Sequence, residues 1–338
     1  MTIKDIAEYC GVSVSTVSRV LNNHPDVSAA VRARVMEAVE KLHFVPNNAA
    51  RDLVKISSND SVGLIIRGIG NPFFAELLPH VEATVSRAGY TPVLHQISSG
   101  DDELQAGAQL VRSKKLSGLI FLGGRYDYSP SEVQALEVPF VCCSYTNSFG
   151  ELDDGLFSSV SVDDEAEAYK AVKYLASKGH GKIAVLLDSA DDHSVCELRY
   201  CGYRRALEEC GIEYDPSLVL CAGSYDMEDA YRTVCAALQR GVDFTALFVI
   251  CDSMAVAVMK ALHDAGRCVP DDCSVIAIDG IQMSCYTVPT LTTLVQPKTE
   301  LGEKCVRVLL DMIENGTAGS HVTLDTELRG GASVADCN

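Results

Sequence analysis

Arg199, Asp279 and the adjacent rings Phe73 and Phe74 are side chains whose types add up to one recognisable chemistry. A guanidinium and a carboxylate make fork-like bonds to neighbouring hydroxyls, and phenyl rings cover the flat apolar faces of a sugar. Each of these residues lies next to a segment with a regular pattern. Phe73 and Phe74 follow the β-branched run 62–66, Asp279 follows 274–278, Cys251 and Asp252 follow 246–250, and Arg199 opens a helical stretch at 198–210. Ligands of parallel α/β domains bind outside the carboxyl ends of the strands, so these side chains can converge. Taken singly, Arg199 also reads as a surface helix cation and Asp279 as a cap in an Asp-Gly turn. Of the two rings, Phe73 is expected to face a ligand and Phe74 to pack within its own domain.

A second group of polar side chains lies near the start of the chain. Thr2 and Asp5 read as a capping box opening a helix over 3–10, and Gly11 ends it because glycine enters a left-handed turn at little cost. Ser13 caps a second helix running to about 22. There Val17, Val20 and Leu21 point inward, while Val14, Ser15, Ser18 and Arg19 stay outside. A third helix from Ser28 repeats Val31, Val35, Ala38, Val39 and Leu42 at helical spacing. Two short helices joined by a glycine turn make a helix-turn-helix; the plain alternative is a three-helix bundle with no nucleic-acid role. An exposed face of Ser, Thr and Arg, rather than Glu and Lys, favours the groove of DNA.

Catalytic signatures are missing: there is no G-x-S-x-G, H-E-x-x-H or G-x-x-x-x-G-K-[ST]. Gly68-Ile69-Gly70 follows the first strand as in dinucleotide-binding folds, but Phe73 occupies the third glycine position and no acid ends the strand near Gln96. His180, in a Gly-His-Gly turn, reads as an organiser of a helix end. Fourteen cysteines without a C-x-x-C pair are expected to be reduced and mostly buried in the core. The expectation is a chain that is not an enzyme and has no cofactor and no metal.

With 47% hydrophobic and 22% charged residues, the composition is that of a globular protein of two or three folding units. No apolar run reaches the roughly 18 residues that cross a bilayer, and the first residues lack a signal-peptide core. No membrane role and a cytoplasmic location are therefore expected. The net charge is −18, but residues 1–56 carry seven basic and six acidic groups, leaving 21 basic and 40 acidic, or −19, on the rest. A near-neutral head on an acidic body confines DNA contact to the head. After residue 61, strand candidates at 62–66, 91–96, 119–122, 140–143, 160–162, 183–187, 246–250 and 274–278 alternate with helix candidates at 73–88, 103–113, 165–177, 198–210, 227–239 and 253–265. That alternation predicts parallel sheets with helices on both faces, and the length predicts two subdomains. Instead of the enzyme, the binding-module rival is a transport binding protein, which needs an export signal and carries no such head.

The first 53 residues resemble the head of the lactose- and galactose-repressor (LacI–GalR) family of transcriptional regulators, through D-I-A, G-V-S, T-V-S-R-V-L-N, V-S and F-V-P-N-x-x-A-R-x-L. N-P-F-F at 71–74, K-G-H-x-K-I at 178–183, R-x-x-G-Y at 199–203 and P-T-L-T-T at 289–293 extend the resemblance through the body. It implies an all-α helix-turn-helix head and an α/β periplasmic-binding-protein-like body of two parallel-sheet subdomains. The head would span 1–45, a hinge helix and linker 46–61, one subdomain 62–161 and 290–320, the other 162–289 and 321–338, with crossings near Ser161, Val288 and His321. It further implies a repressor of double-stranded, pseudo-palindromic operator DNA. Val14, Ser15 and Arg19 would read bases, Arg19 having the fork for guanine O6 and N7. Thr2, Ser13, Thr16, Ser18, Asn22 and Asn47 would hold phosphates. Residues 46–53 match the family's hinge helix, too short to be stable alone, with Leu53 as a wedge in a minor-groove step. Phe73, Phe74, Arg199, Cys251, Asp252 and Asp279 would hold a small-molecule effector, a sugar before a nucleobase. Cys251 stands where the family commonly has Asn, so a polar contact is lost there. The tail after Gly331 lacks heptad leucines, and a homodimer is the expected state.

Overall fold

The computed structural model describes residues 2–21, 26–42, 44, 60–68, 70–98, 100–190 and 193–337, and the chain divides into two compact units, Met1–Asn59 and Asp60–Asn338. The first holds α1 (Ile3–Cys10), α2 (Val14–Leu21) and α3 (Ala29–Lys41). The Thr2 amide donates to the Asp5 carboxylate at 2.7 Å, and Gly11 turns left-handed at φ 61° to close α1. Ser13 Oγ accepts the Thr16 amide at 3.1 Å at the start of α2, and Ser28 Oγ accepts that of Val31 at 3.4 Å on α3. Ile6, Val17, Val20, Val35 and Ala38 form the buried centre. Each fully buried aliphatic side chain there contributes roughly 1.5–3 kcal/mol.

The second unit starts with β1 (Ser61–Arg67), α4 (Pro72–Arg87), β2 (Thr91–Ile97), α5 (Glu103–Lys114), β3 (Gly118–Leu122), the short α6 (Pro130–Val133), β4 (Phe140–Cys143) and β5 (Ser158–Val162). It continues with α7 (Asp164–Ser177), β6 (Ile183–Leu187), α8 (Val195–Glu209), β7 (Val219–Cys221), α9 (Met227–Gln239), β8 (Ala246–Val249), α10 (Asp252–Asp264), β9 (Ser274–Asp279) and β10 (Thr292–Val295). Last come α11 (Lys298–Asn315), β11 (His321–Leu324) and β12 (Glu327–Arg329). The strands form two six-stranded sheets, ordered β11-β5-β4-β3-β1-β2 and β12-β10-β9-β8-β6-β7. Every pairing is parallel except that of β10 with β12. Central strands such as Gly118–Leu122 and Ile183–Leu187 are buried throughout, as strands covered on both faces must be.

The strand pairings move two of the three crossings. β10 lies in the second sheet, beside β9, so the chain crosses after Gln296 rather than near Val288. β11 pairs with β5 in the first sheet, so the last crossing follows Leu324 and not His321. Residues 292–295 therefore belong with the second subdomain and 321–324 with the first. Helix α11 packs on the first sheet through Leu301, Cys305, Val306 and Leu309. The cysteine expectation is also corrected: all 14 are free thiols, but seven are buried, two intermediate and five (Cys201, Cys210, Cys221, Cys268 and Cys285) exposed. Among the described residues no helix is long and apolar enough to cross a membrane.

Candidate functional site

A cavity of about 890 Å³ opens where the carboxyl ends of the two sheets face each other. In both sheets the strand order reverses beside the first strand, between β1 and β3 and between β6 and β8, and at such points the flanking loops diverge and leave a crevice. Phe73, Phe74, Arg199, Cys251 and Asp279 all line it. Asp252 does not: its Oδ2 accepts the Ile281 amide at 2.9 Å and its Oδ1 the Thr293 hydroxyl at 2.5 Å, behind the cavity floor. The roles of the two rings differ from expectation. Asn71 caps α4 by accepting the Phe73 amide, which turns Phe73 into the core of the first subdomain at 3% exposure, whereas Phe74 is half-buried and stands edge-on to it at 5.4 Å.

Arg199 lies five residues into α8, because Ser194 caps the helix three residues earlier than the apolar pattern suggests. It is 5% exposed. Its Nε and Nη2 donate to Asp164 Oδ1 at 3.0 and 2.8 Å, Nη1 donates to the Ile250 carbonyl, and Nη1 stands 4.0 Å from Asp279 Oδ1. Burial opposes the guanidinium's charge, but Asp164 and Asp279 outweigh it and Arg199 stays protonated. Burial pushes the Asp279 carboxyl up to about 7 although Arg199 pulls it down. It also pushes the Cys251 thiol up to about 12, so that side chain is an inert wall. Asp279 Oδ1 accepts from Gln296 Nε2 at 2.9 Å. Asp279 Oδ2 and Gln296 Oε1 are buried and have no hydrogen-bond partner among the described residues.

The cavity brings in further residues, of which the strand pattern signals those after β3 and β4 but not those after β7 and β10, strands it does not reveal. Arg125 and Tyr126 follow β3, Tyr145 follows β4, Tyr225 follows β7 and Gln296 follows β10. Every one sits at the carboxyl end of a strand, where the binding rule directs attention. Asp164, the buried partner of Arg199, had only an acidic run at a helix start as its signal. Among the described residues no cluster of His, Cys, Asp or Glu is placed to hold a metal.

On the head, Val14 is 40% exposed and Ser15 and Arg19 are exposed, Ser15 and Arg19 one turn apart on α2. Ser13 Oγ is 2.8 Å from both Ser15 Oγ and Thr16 Oγ1, a knot of hydroxyls at the start of that helix. Thr2 is exposed and Ser18 half-buried. Asn22, Asn47, Leu53 and the hinge segment lie outside the described residues.

Residues 2–47 match the model of bacterial regulatory proteins of the lacI family, and 172–334 that of a periplasmic binding protein-like domain. The HTH-type transcriptional regulator MalR of Clostridium butyricum is 37% identical over 332 residues, covering 97% of each chain. A solved transcriptional regulator CelR–cellobiose complex superposes with TM-score 0.72 at 26% identity over 98% of this chain and 99% of that one. The Lac repressor dimer bound to operator and the anti-inducer ONPF superposes at 0.74 with 25% identity over 99% of both. These relatives are regulators and not enzymes. With a helix-turn-helix head, a two-sheet body around a cavity and likeness along nearly its whole length, the chain belongs to the lacI family of DNA-binding transcriptional regulators with a ligand-binding body.

Proposed function

We propose that this repressor works in the cytoplasm as a homodimer whose operator affinity is set by a neutral sugar in the cavity, a molecule of up to two rings. One observation carries the sugar reading: Asp279 Oδ2 and Gln296 Oε1 are adjacent buried acceptors without a partner among the described residues. Two such oxygens, one on a carboxyl that titrates near neutral pH, call for groups that both donate and accept, and neighbouring sugar hydroxyls do both. The lining charge argues against an anionic ligand, since three arginines face five aspartates and Arg199 is already matched by Asp164 and Asp279. The volume lies inside the roughly 300–1,000 Å³ range of small-molecule pockets, and the similar CelR structure holds cellobiose. Titration calorimetry with glucose, ribose, maltose and cellobiose tests the reading. At least one is expected to bind and to shift operator affinity, and Asp279→Asn is expected to abolish that shift. Binding of hypoxanthine but of none of the sugars overturns it.

On DNA, Val14, Ser15 and Arg19 read base edges, Thr2, Ser13, Thr16, Ser18, Asn22 and Asn47 hold phosphates, and Leu53 unstacks a minor-groove step. The exposed α2 face and the operator-bound Lac repressor dimer support this assignment. Leu53→Ala is expected to keep sugar binding yet reduce DNA bending in a circular-permutation gel. Undiminished bending returns Leu53 to a linker role.

A further inference from the structure

Asp279 has an unusual backbone. Its φ is 130°, a region that residues with side chains seldom enter, and Gly280 follows at φ 66°. Such a conformation persists only where the surroundings over-determine it. Three side chains do so here. The Gly280 amide donates to Thr293 Oγ1 at 3.3 Å, the Thr293 hydroxyl donates to Asp252 Oδ1 at 2.5 Å, and the Ile281 amide donates to Asp252 Oδ2 at 2.9 Å. Lys298 Nζ donates to the carbonyls of Asp279 at 3.1 Å and Gly280 at 2.8 Å. Asp252 and Thr293 are fully buried. The single hydroxyl proton of Thr293 goes to Asp252, so its oxygen is left to receive Gly280, and the direction of the whole relay is set by the carboxylate at its end.

We propose that Asp252 is a positioning residue for effector recognition: with Thr293 it clamps the backbone just after Asp279 and so fixes the direction in which the Asp279 carboxylate is presented to the cavity. The proposal rests on the reading that Asp279 grips the effector. Asp252 begins α10 immediately after the cavity-lining Cys251, and Thr293 lies on β10 three residues before Gln296. The clamp therefore ties together the ends of β8, β9 and β10, from which the floor is built. An amide in place of Asp252 presents one oxygen where two donors converge, and its NH₂ must face the other donor.

The test compares Asp252→Asn, Thr293→Val and Thr293→Ser in the full chain, with Asp279→Asn as a control. Without sugar, hydrogen exchange at the Gly280 and Ile281 amides should speed up at least tenfold in Asp252→Asn and Thr293→Val. Thr293→Ser, which keeps the hydroxyl, should restore protection. The charged or titratable groups facing Asp279 are Arg199, with Asp164 behind it, and Asp252, Lys298 and Cys251. Asp252 raises the Asp279 carboxyl through like charge, so Asp252→Asn should move the Asp279 resonance of carboxyl-labelled protein to a lower titration midpoint. That shift follows from the lost charge alone, so positioning is read from Thr293→Val, which removes no charge: a moved Asp279 midpoint there marks a re-aimed carboxyl, and a role confined to stability leaves it in place. Affinity for maltose or cellobiose should fall at least tenfold in Asp252→Asn and Thr293→Val and recover in Thr293→Ser. If Asp279→Asn leaves sugar affinity intact, the sugar reading fails and the proposal with it. If Asp279→Asn abolishes binding while Asp252→Asn and Thr293→Val bind within twofold of wild type, the clamp alone is overturned. If neither sugar binds, unchanged exchange together with an unchanged midpoint overturns it. Should Asp252→Asn not fold, the Thr293→Val and Thr293→Ser pair decides through exchange.

Discussion

Removing Arg199 tests how the cavity floor is held together. Arg199→Ala takes away the three donors to Asp164 and Ile250 and the guanidinium that stands 4.0 Å from the Asp279 carboxyl. Two buried carboxyls then lose their guanidinium partner, and Asp279 keeps only the Gln296 amide and the nearby Lys298 to offset its charge. Breaking a buried ion pair from one side costs about 3–5 kcal/mol, a large part of the roughly 5–15 kcal/mol that keeps a protein folded. At about 2–4 °C per kcal/mol for domains of 150–250 residues, that is a fall in Tm of about 6–20 °C. The loss should also depend on pH. Asp164 and Asp279 are both raised by burial and held down by Arg199, so its removal raises them further above their unfolded value of about 3.9. A group whose folded pKa is raised stabilises fully below the unfolded pKa and loses that contribution as pH rises through the folded one. The Tm deficit should therefore be largest at pH 8 and shrink towards pH 5. Scanning calorimetry of the full chain at pH 5, 6.5 and 8 measures it. A deficit that is independent of pH, or a Tm within about 2 °C of wild type, refutes the reasoning. Loss of sugar response in this variant carries meaning only after folding has been measured, and Asp279→Asn is the cleaner probe of the site.

Arg19→Ala should cost about 1–3 kcal/mol at one base position of each half-site and relax the preference there; selection from random DNA that returns an unchanged consensus rejects the assignment. His180 bonds Thr245 Oγ1 at 3.0 Å, Ser274 Oγ at 3.0 Å and the Ala335 carbonyl at 3.2 Å, and burial lowers its pKa. The unfolded chain then takes up the proton first, so the stability His180 contributes is complete above about 6.5 and declines as pH falls. The pH profile of unfolding for His180→Gln should be flatter than wild type between 7.5 and 5. Gly202 on α8 meets α7 so closely that a Cβ would stand 2.1 Å from the Glu165 carbonyl oxygen. Gly202→Ala should cost about 1–3 kcal/mol by overpacking and, by shifting the helix that carries Arg199, weaken sugar binding as well; a denaturant titration and calorimetry check both.

What could be read from the residues follows physical lines. Long β-branched runs identified β1, β6, β8 and β9, because a strand buried on both faces needs little besides apolar side chains. The residue pattern does not reveal β10 and β11: Thr292–Val295 and His321–Leu324 are four residues each, rich in threonine or partly exposed, and β11 pairs with β5, far earlier in the chain. The crossings were misplaced for the same reason. Phe73 and Phe74 exchanged roles because adjacent helical residues point about 100° apart, and the phase depends on where Asn71 caps the helix. Asp252 looked like a ligand contact because acids at strand ends usually are. In the folded chain both of its oxygens face donors from its own backbone and side chains.

The second crossing of the chain has a consequence for how such a regulator diverges. Gln296 offers an acceptor on the cavity floor and is also the residue at which the backbone leaves one subdomain for the other, with α11 beginning two residues later. Whatever pulls on its side chain pulls on the joint. A substitution there alters how tightly a ligand is held and how far that grip is transmitted, in a single step. Phe74 and Arg125, seated on the wall of one subdomain, are free of this double duty. Lineages adapting to new ligands should therefore vary first at the wall and last at the joint, where taste and response are inherited together.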